Sequence, residues 1–278
     1  MTETETPTTD RVTDETAAEN SLFRSIAEWA ARSAFAFAGV LALAVIVAIR
    51  RLSVPLAETT YQLEFPYLSF PVSLVPTWVA PVSLRPEAIW GMKPSYLVVT
   101  VGLWLLAVLT VVTAAGLFWW SLDRESGAVP PLSSMGWLVG YGVGAVVLTV
   151  FGGDLAVDSL PANLAGLEWA WTLVLALIAG RLFVAPVSIV LDGRRPLDAI
   201  HWSVRSLGGL RWTVRTTGLV LVLAYARRVV TAPFGVFGGG LVGLGATVVV
   251  GTALVGSVHA YAMLFVYNLV GDGRTVDS

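Results

Sequence analysis

Six runs of apolar residues, separated by polar or charged stretches, set the pattern of this chain: about 33–49, 96–120, 134–151, 167–191, 212–233 and 244–270. The shortest, Ser33 to Ile49, still reaches about 25 Å as a helix, enough to cross a thin hydrocarbon layer. It is closed by Arg32 on one side and Arg50 and Arg51 on the other. The pattern predicts an all-α, polytopic integral membrane protein with about six transmembrane helices forming one domain over 21–270. Before the first run, Leu22, Ile26 and Trp29 fall at i, i+4 and i+7, which predicts a short amphipathic helix at the membrane surface.

A different periodicity interrupts the runs twice. Residues 52–94 carry prolines at 66, 71, 76, 81 and 86, a strict interval of five that removes a donor from every helical turn. With Tyr61, Phe65, Tyr67, Trp78 and Trp90 among them, these residues read as an extended outer loop lying at the interface. Between the fourth and fifth runs, Asp192-Gly193 marks a turn and Pro196 suits the first position of a helix. Leu197, Ile200, Val204 and Leu207 then make one apolar stripe, while Asp198, His201 and Arg205 occupy another face. This predicts an interfacial amphipathic helix ended by Gly208-Gly209.

Composition sharpens the class, with 56% hydrophobic and only 13% charged residues and a mean hydropathy of +0.76. Such a chain cannot cover its surface with polar groups, so lipid must be the solvent for most of it. The net charge of -2 and the absence of a basic stripe on a soluble domain argue against nucleic acid as a partner. With no cysteine, thiolate chemistry and disulfides are excluded. Residues 1–20, acidic and without an aromatic, read as a disordered tail, and 271–278 as a second polar tail. The preference for Arg over Lys, with acid-rich ends, fits either a salt-adapted source or a GC-rich coding bias.

Basic residues also orient the chain. Ten arginines, among them Arg124, Arg194, Arg195, Arg205, Arg211 and Arg215, fall on the side of the N-terminus; Arg50, Arg51, Arg85, Lys93 and, if they snorkel outward, Arg227 and Arg228 fall on the other. The positive-inside bias therefore predicts a multi-pass protein of the cell membrane with both termini in the cytoplasm.

The run Arg181, Pro186, Asp192, Gly193, Pro196, Ala199, Ser203 and Arg205 resembles the pattern of a broad superfamily of uncharacterised six-span membrane proteins. These are similar to the membrane domain that accompanies glycerophosphoryl diester phosphodiesterases. The chain departs from the pattern where Val204 follows Ser203 and Gly208-Gly209-Leu210 closes the helix. The resemblance implies a topology and a lipid-related setting, without an activity.

Measured from the inner boundary, Arg181, Arg227 and His259 fall about 16 to 24 Å up three different helices. Charge inside a membrane is costly, about 2.5 to 3.5 kcal/mol for an arginine at a helix centre, and normally has a partner. No Asp or Glu lies beside these residues within the spans. Two arrangements answer this. Arg181, Arg227 and Arg228, with His259, hold an anionic lipid or small anionic solute; or Arg181 snorkels inward, the Arg227-Arg228 pair snorkels outward and His259 stays neutral. Gly136, Gly140 and Gly144 share one helix face and suit close helix packing, within the bundle or against a second copy or another membrane partner.

No metal, cofactor or catalytic site emerges. Asp154 and Asp158 fall outside and His201 inside, so no nucleophile meets a base, and the glycine cluster at 235–245 lacks the Lys-Ser/Thr ending of a phosphate loop. The expectation is a non-enzymatic protein that binds anionic lipid or supports an envelope process, with a permease for a small anionic solute as the alternative.

Overall fold

The computed structural model describes residues 33–41, 43–44, 47, 94–123, 130–149, 166–235, 246 and 248–272. The acidic tail, the surface helix before Ser33, the proline-repeat loop 52–93, the acidic loop 152–165, the glycine-rich turn 236–245 and the last polar residues lie outside the described residues. Every regular element among the described residues is helical: α1 (33–41), α2 (Pro94–Asp123), α3 (Leu132–Thr149), α4 (Gly166–Arg181), α5 (Ala185–Leu191), α6 (Pro196–Ser206), α7 (Leu210–Gly235) and α8 (Gly256–Asp272). A π-helical turn, Gly251–Val255, leads into α8.

Three stretches are long and apolar enough to cross a membrane: Leu97–Leu122, Leu173–Leu191 and Val248–Gly271. They coincide with the second, fourth and sixth apolar runs. α3 and α7 occupy the third and fifth runs, the latter with Arg211, Arg215, Arg227 and Arg228 in its length. The outer surface agrees with a lipid setting, because the large apolar or aromatic side chains of Val222, Tyr225 and Phe265 are each more than half exposed.

The centre of the bundle is α5, the seven residues APVSIVL. A helix that is apolar all round must be buried on every side. α5 is, packing against α2, α3, α6 and α8 with all seven residues buried. Its one hydroxyl, Ser188, is satisfied locally by donating to the Ala185 carbonyl at 2.8 Å. Around it, Trp119 of α2 is fully buried and donates its indole N–H to the Ala260 carbonyl of α8 at 2.8 Å. Phe35 of α1 meets Phe118 edge-on at 5.7 Å, and a Cβ at Gly39 would stand 3.0 Å from the Val249 backbone, so α1 packs closely beside the start of the last crossing.

The fourth apolar run is not one continuous helix. α4 ends at Arg181, residues 182–184 form a turn, and α5 starts at Ala185 with Pro186 in its first turn. Pro186 has no N–H for the Leu182 carbonyl, which accepts from Ala185 instead at 3.1 Å. The chain then turns at Gly193, where φ is +67°, a left-handed conformation open to glycine. Arg195 is extended ahead of Pro196, as a residue before proline must be, and α6 begins there.

The interfacial helix sits differently from its predicted stripe. Ala199, Ser203 and Leu207 face the bundle and are fully buried, whereas Leu197 is 79% exposed and Val204 also faces outward. Leu207 therefore belongs to the core and not to the stripe that meets lipid. The reason is that Ala199 and Ser203 are small enough to let the helix approach α5 closely, and Leu207 lies on their side.

Candidate functional site

The two ends of α6 gather most of the chemistry that the sequence singles out. At its start, Asp192 accepts from Arg194 Nε at 2.9 Å and from the Tyr267 hydroxyl at 2.7 Å, tying the turn to α8. The Arg194 guanidinium lies over the Trp202 ring at 4.5 Å, and Trp202 in turn meets Tyr267 at 5.6 Å. Being about a third exposed, the Asp192–Arg194 pair contributes up to about 1 kcal/mol, so its role is to fix geometry. Tyr267 was not singled out from the sequence; the available signal was that aromatic residues collect at membrane boundaries.

Past this closed cluster lies a set of exposed cations. Arg195, Arg205, Arg211 and Arg215 are all exposed, and Arg215 stands over Trp212 at 5.8 Å. Among the described residues the one ion pair is Asp192–Arg194. Asp198 and His201 are exposed on the same helix, with Ile200 half-buried between the two faces. Apolar side chains alternate with the arginines along this rim: Leu197, Leu210 at 81% exposure and Val214 at 63%. Exposed apolar groups interleaved with guanidinium groups form the pattern of a surface that sits at the headgroup level.

Arg181 is at the other end of α6. Its Nη1 points to the Val204 carbonyl at 3.5 Å, and its own carbonyl accepts from the Ser203 hydroxyl at 2.7 Å. His259, largely buried on α8, stacks on Phe183 at 5.6 Å with 26° between the rings. Arg181 and His259 thus border the same break, on either side of Phe183. Arg227 and Arg228 are placed by the backbone of α7. A Cβ at Gly180 would stand 2.9 Å from the Thr217 backbone nitrogen, which sets α4 against α7 at that level. Arg227 lies ten residues beyond Thr217, about 15 Å farther along α7.

Among the described residues nothing stands within 4 Å of a Cβ built at Gly136, Gly140 or Gly144. The close approach between α2 and α3 is made instead at Gly142, against Val112, and at Gly116, against Met135 and Leu138. Among the described residues no group of three or more His, Asp or Glu side chains assembles that could hold a metal ion. No family model matches the chain, and neither a curated protein nor a solved structure matches it.

Proposed function

We propose that this is a six-span protein of the cell membrane, both termini cytoplasmic, that retains anionic phospholipid at its arginine-rich inner boundary. The observation that carries the reading is the exposed set Arg195, Arg205, Arg211 and Arg215, interleaved with Leu197, Leu210 and Val214, where one ion pair takes up only Arg194. Guanidinium forks suit phosphate oxygens, and the apolar neighbours suit the acyl boundary just beneath. The lipid-related setting implied by the resemblance of the Arg181–Arg205 run points the same way.

The permease reading draws on the break at 182–184, since discontinuous helices line many transporter sites. It ranks second because Arg181, its central cation, is turned toward the Val204 carbonyl.

Native mass spectrometry of the purified protein with added phosphatidylglycerol, and phosphatidylcholine as control, tests the choice. Each arginine near an anionic surface contributes about 1 kcal/mol, so replacing Arg195, Arg205, Arg211 and Arg215 by Gln should weaken phosphatidylglycerol binding about a hundredfold or more. Undiminished binding in that variant, with inorganic phosphate uptake into proteoliposomes lost in Arg181→Gln/Arg227→Gln, would put the permease in its place.

A further inference from the structure

We infer that Arg181 and Ser203 form a reciprocal latch, each filling a carbonyl left open by the end of the other's helix, which seats α6 in the break of the membrane-crossing helix. The inference deepens the lipid reading, on which its consequence for lipid rests, by identifying what holds the arginine-bearing helix in position.

The latch follows from two interrupted hydrogen-bond ladders. In an unbroken helix the Arg181 carbonyl would accept from the N–H of Ala185, four residues on. That N–H donates to Leu182 instead, at 3.1 Å, which leaves the Arg181 carbonyl open beside α6. Ser203, with no exposed surface, donates its hydroxyl to it at 2.7 Å. The end of α6 repeats the pattern. The Val204 carbonyl would accept from Gly208, but the Gly208 N–H donates to Arg205 at 3.3 Å. The opened Val204 carbonyl faces Arg181 Nη1 at 3.5 Å. Carbonyls at the end of a helix have no partner within that helix, so each helix end gains from the presence of the other.

Glycine at 208 is part of the arrangement. A Cβ there would stand 3.1 Å from the Arg205 carbonyl oxygen, 3.2 Å from that of Val204 and 3.6 Å from Arg181 Nη1, crowding the contact itself. The remaining inward residues, Ala199 and Leu207, are fully buried on the Ser203 side. Leu197 and Arg205 point the opposite way. α6 is thus held from inside by the break and is free outside to meet headgroups. Loosening the latch should release the helix without unfolding the bundle.

The natural chain has no cysteine, so single reporters are unambiguous. Ala199→Cys reports on the inner face of α6, and Ala176→Cys, fully buried in α4, on the bundle. Thiol labelling of the full-length protein is measured in detergent without added lipid. Ser203→Ala should speed labelling at 199 about tenfold, because it strands the Arg181 carbonyl. Arg181→Met should speed it less, about threefold, its contact being longer and partly exposed. The double variant should fall short of the product, since each residue loses value once the other is gone. Labelling at 176 should not change. Unchanged labelling at 199 in both variants overturns the latch, as does an equal rise at 176, which would mean that the pair supports the whole bundle. Phosphatidylglycerol retention is then read separately by native mass spectrometry. Loss of lipid from Ser203→Ala ties the latch to the lipid site. Release of α6 with lipid retention unaltered supports the latch and removes its link to the lipid reading.

Discussion

Two stretches long and apolar enough to cross a membrane take different paths. α2 runs unbroken for 30 residues from Pro94 to Asp123, whereas Leu173–Leu191 stops and restarts within its 19. α2 keeps its proline at its first position, where no donor is needed. The other carries Pro186 inside, and Arg181 stands four residues before the restart. The unbroken helix keeps its backbone groups to itself and packs through side chains such as Trp119. The broken one opens a carbonyl, and a neighbouring helix is positioned on it. Equal hydropathy therefore conceals two roles, one a strut and the other a socket.

The largest effect expected is on the strut. Trp119→Ala removes a fully buried indole together with its hydrogen bond to the Ala260 carbonyl, and should cost about 3–5 kcal/mol in denaturant unfolding in mixed micelles. A loss below about 1 kcal/mol would show that the contact between α2 and α8 is not part of the core. The next concerns glycine on each side of the comparison. Gly180→Ala sets a methyl group 2.9 Å from the Thr217 backbone nitrogen, which cannot shift cheaply, and should cost about 1–3 kcal/mol. Gly102→Ala in α2 meets nothing within 4 Å and should stabilise by about 0.5–1 kcal/mol through helix propensity alone. Opposite signs for one substitution would sharpen the contrast, and equal signs would remove it.

How much of this was legible in the sequence depends on whether a feature is decided locally. The turn at Gly193 and the start of α6 at Pro196 are fixed by the residues that form them, a left-handed glycine and a proline at the first helical position. They could be read directly. The crossings at α2 and α8 were legible from hydropathy, since lipid leaves the backbone few alternatives. The break was not, although Arg181 and Pro186 were both in plain view, because a proline in a helical run may kink, cap or stop it according to what lies beside it. The inner face of α6 was hidden for a related reason. Ala199 and Ser203 look unremarkable by hydropathy, and only the approach of α5 turns them into the buried face, taking Leu207 with them. The glycines of α3 make a related point: a spacing of four names a face but not which partner stands there, and it is Gly142, off that face, that meets Val112. Sequence alone suggested one shared depth for Arg181, Arg227 and His259 by counting from a loop, whereas a close approach such as that of Gly180 to Thr217 is visible only in the fold.

The smallest change expected in labelling is the one that bears most directly on why the two stretches differ. Pro186→Ala restores the missing N–H and permits a straight helix from Gly166 to Leu191. A healed helix would draw the Arg181 carbonyl back into its own ladder, away from Ser203, and would rotate a fully buried α5 against its four neighbours. Both consequences oppose healing, so the break should persist in the variant. The cost is then the trimmed proline ring, about 1–2 kcal/mol at about 0.8 kcal/mol per buried methylene, and labelling of Ala199→Cys should stay within about twofold of the parent. A rise in labelling to the level of Ser203→Ala would mean that proline alone makes the socket. A flat response would mean that the latch and the packing of α5 hold it open, with proline supplying only the missing donor.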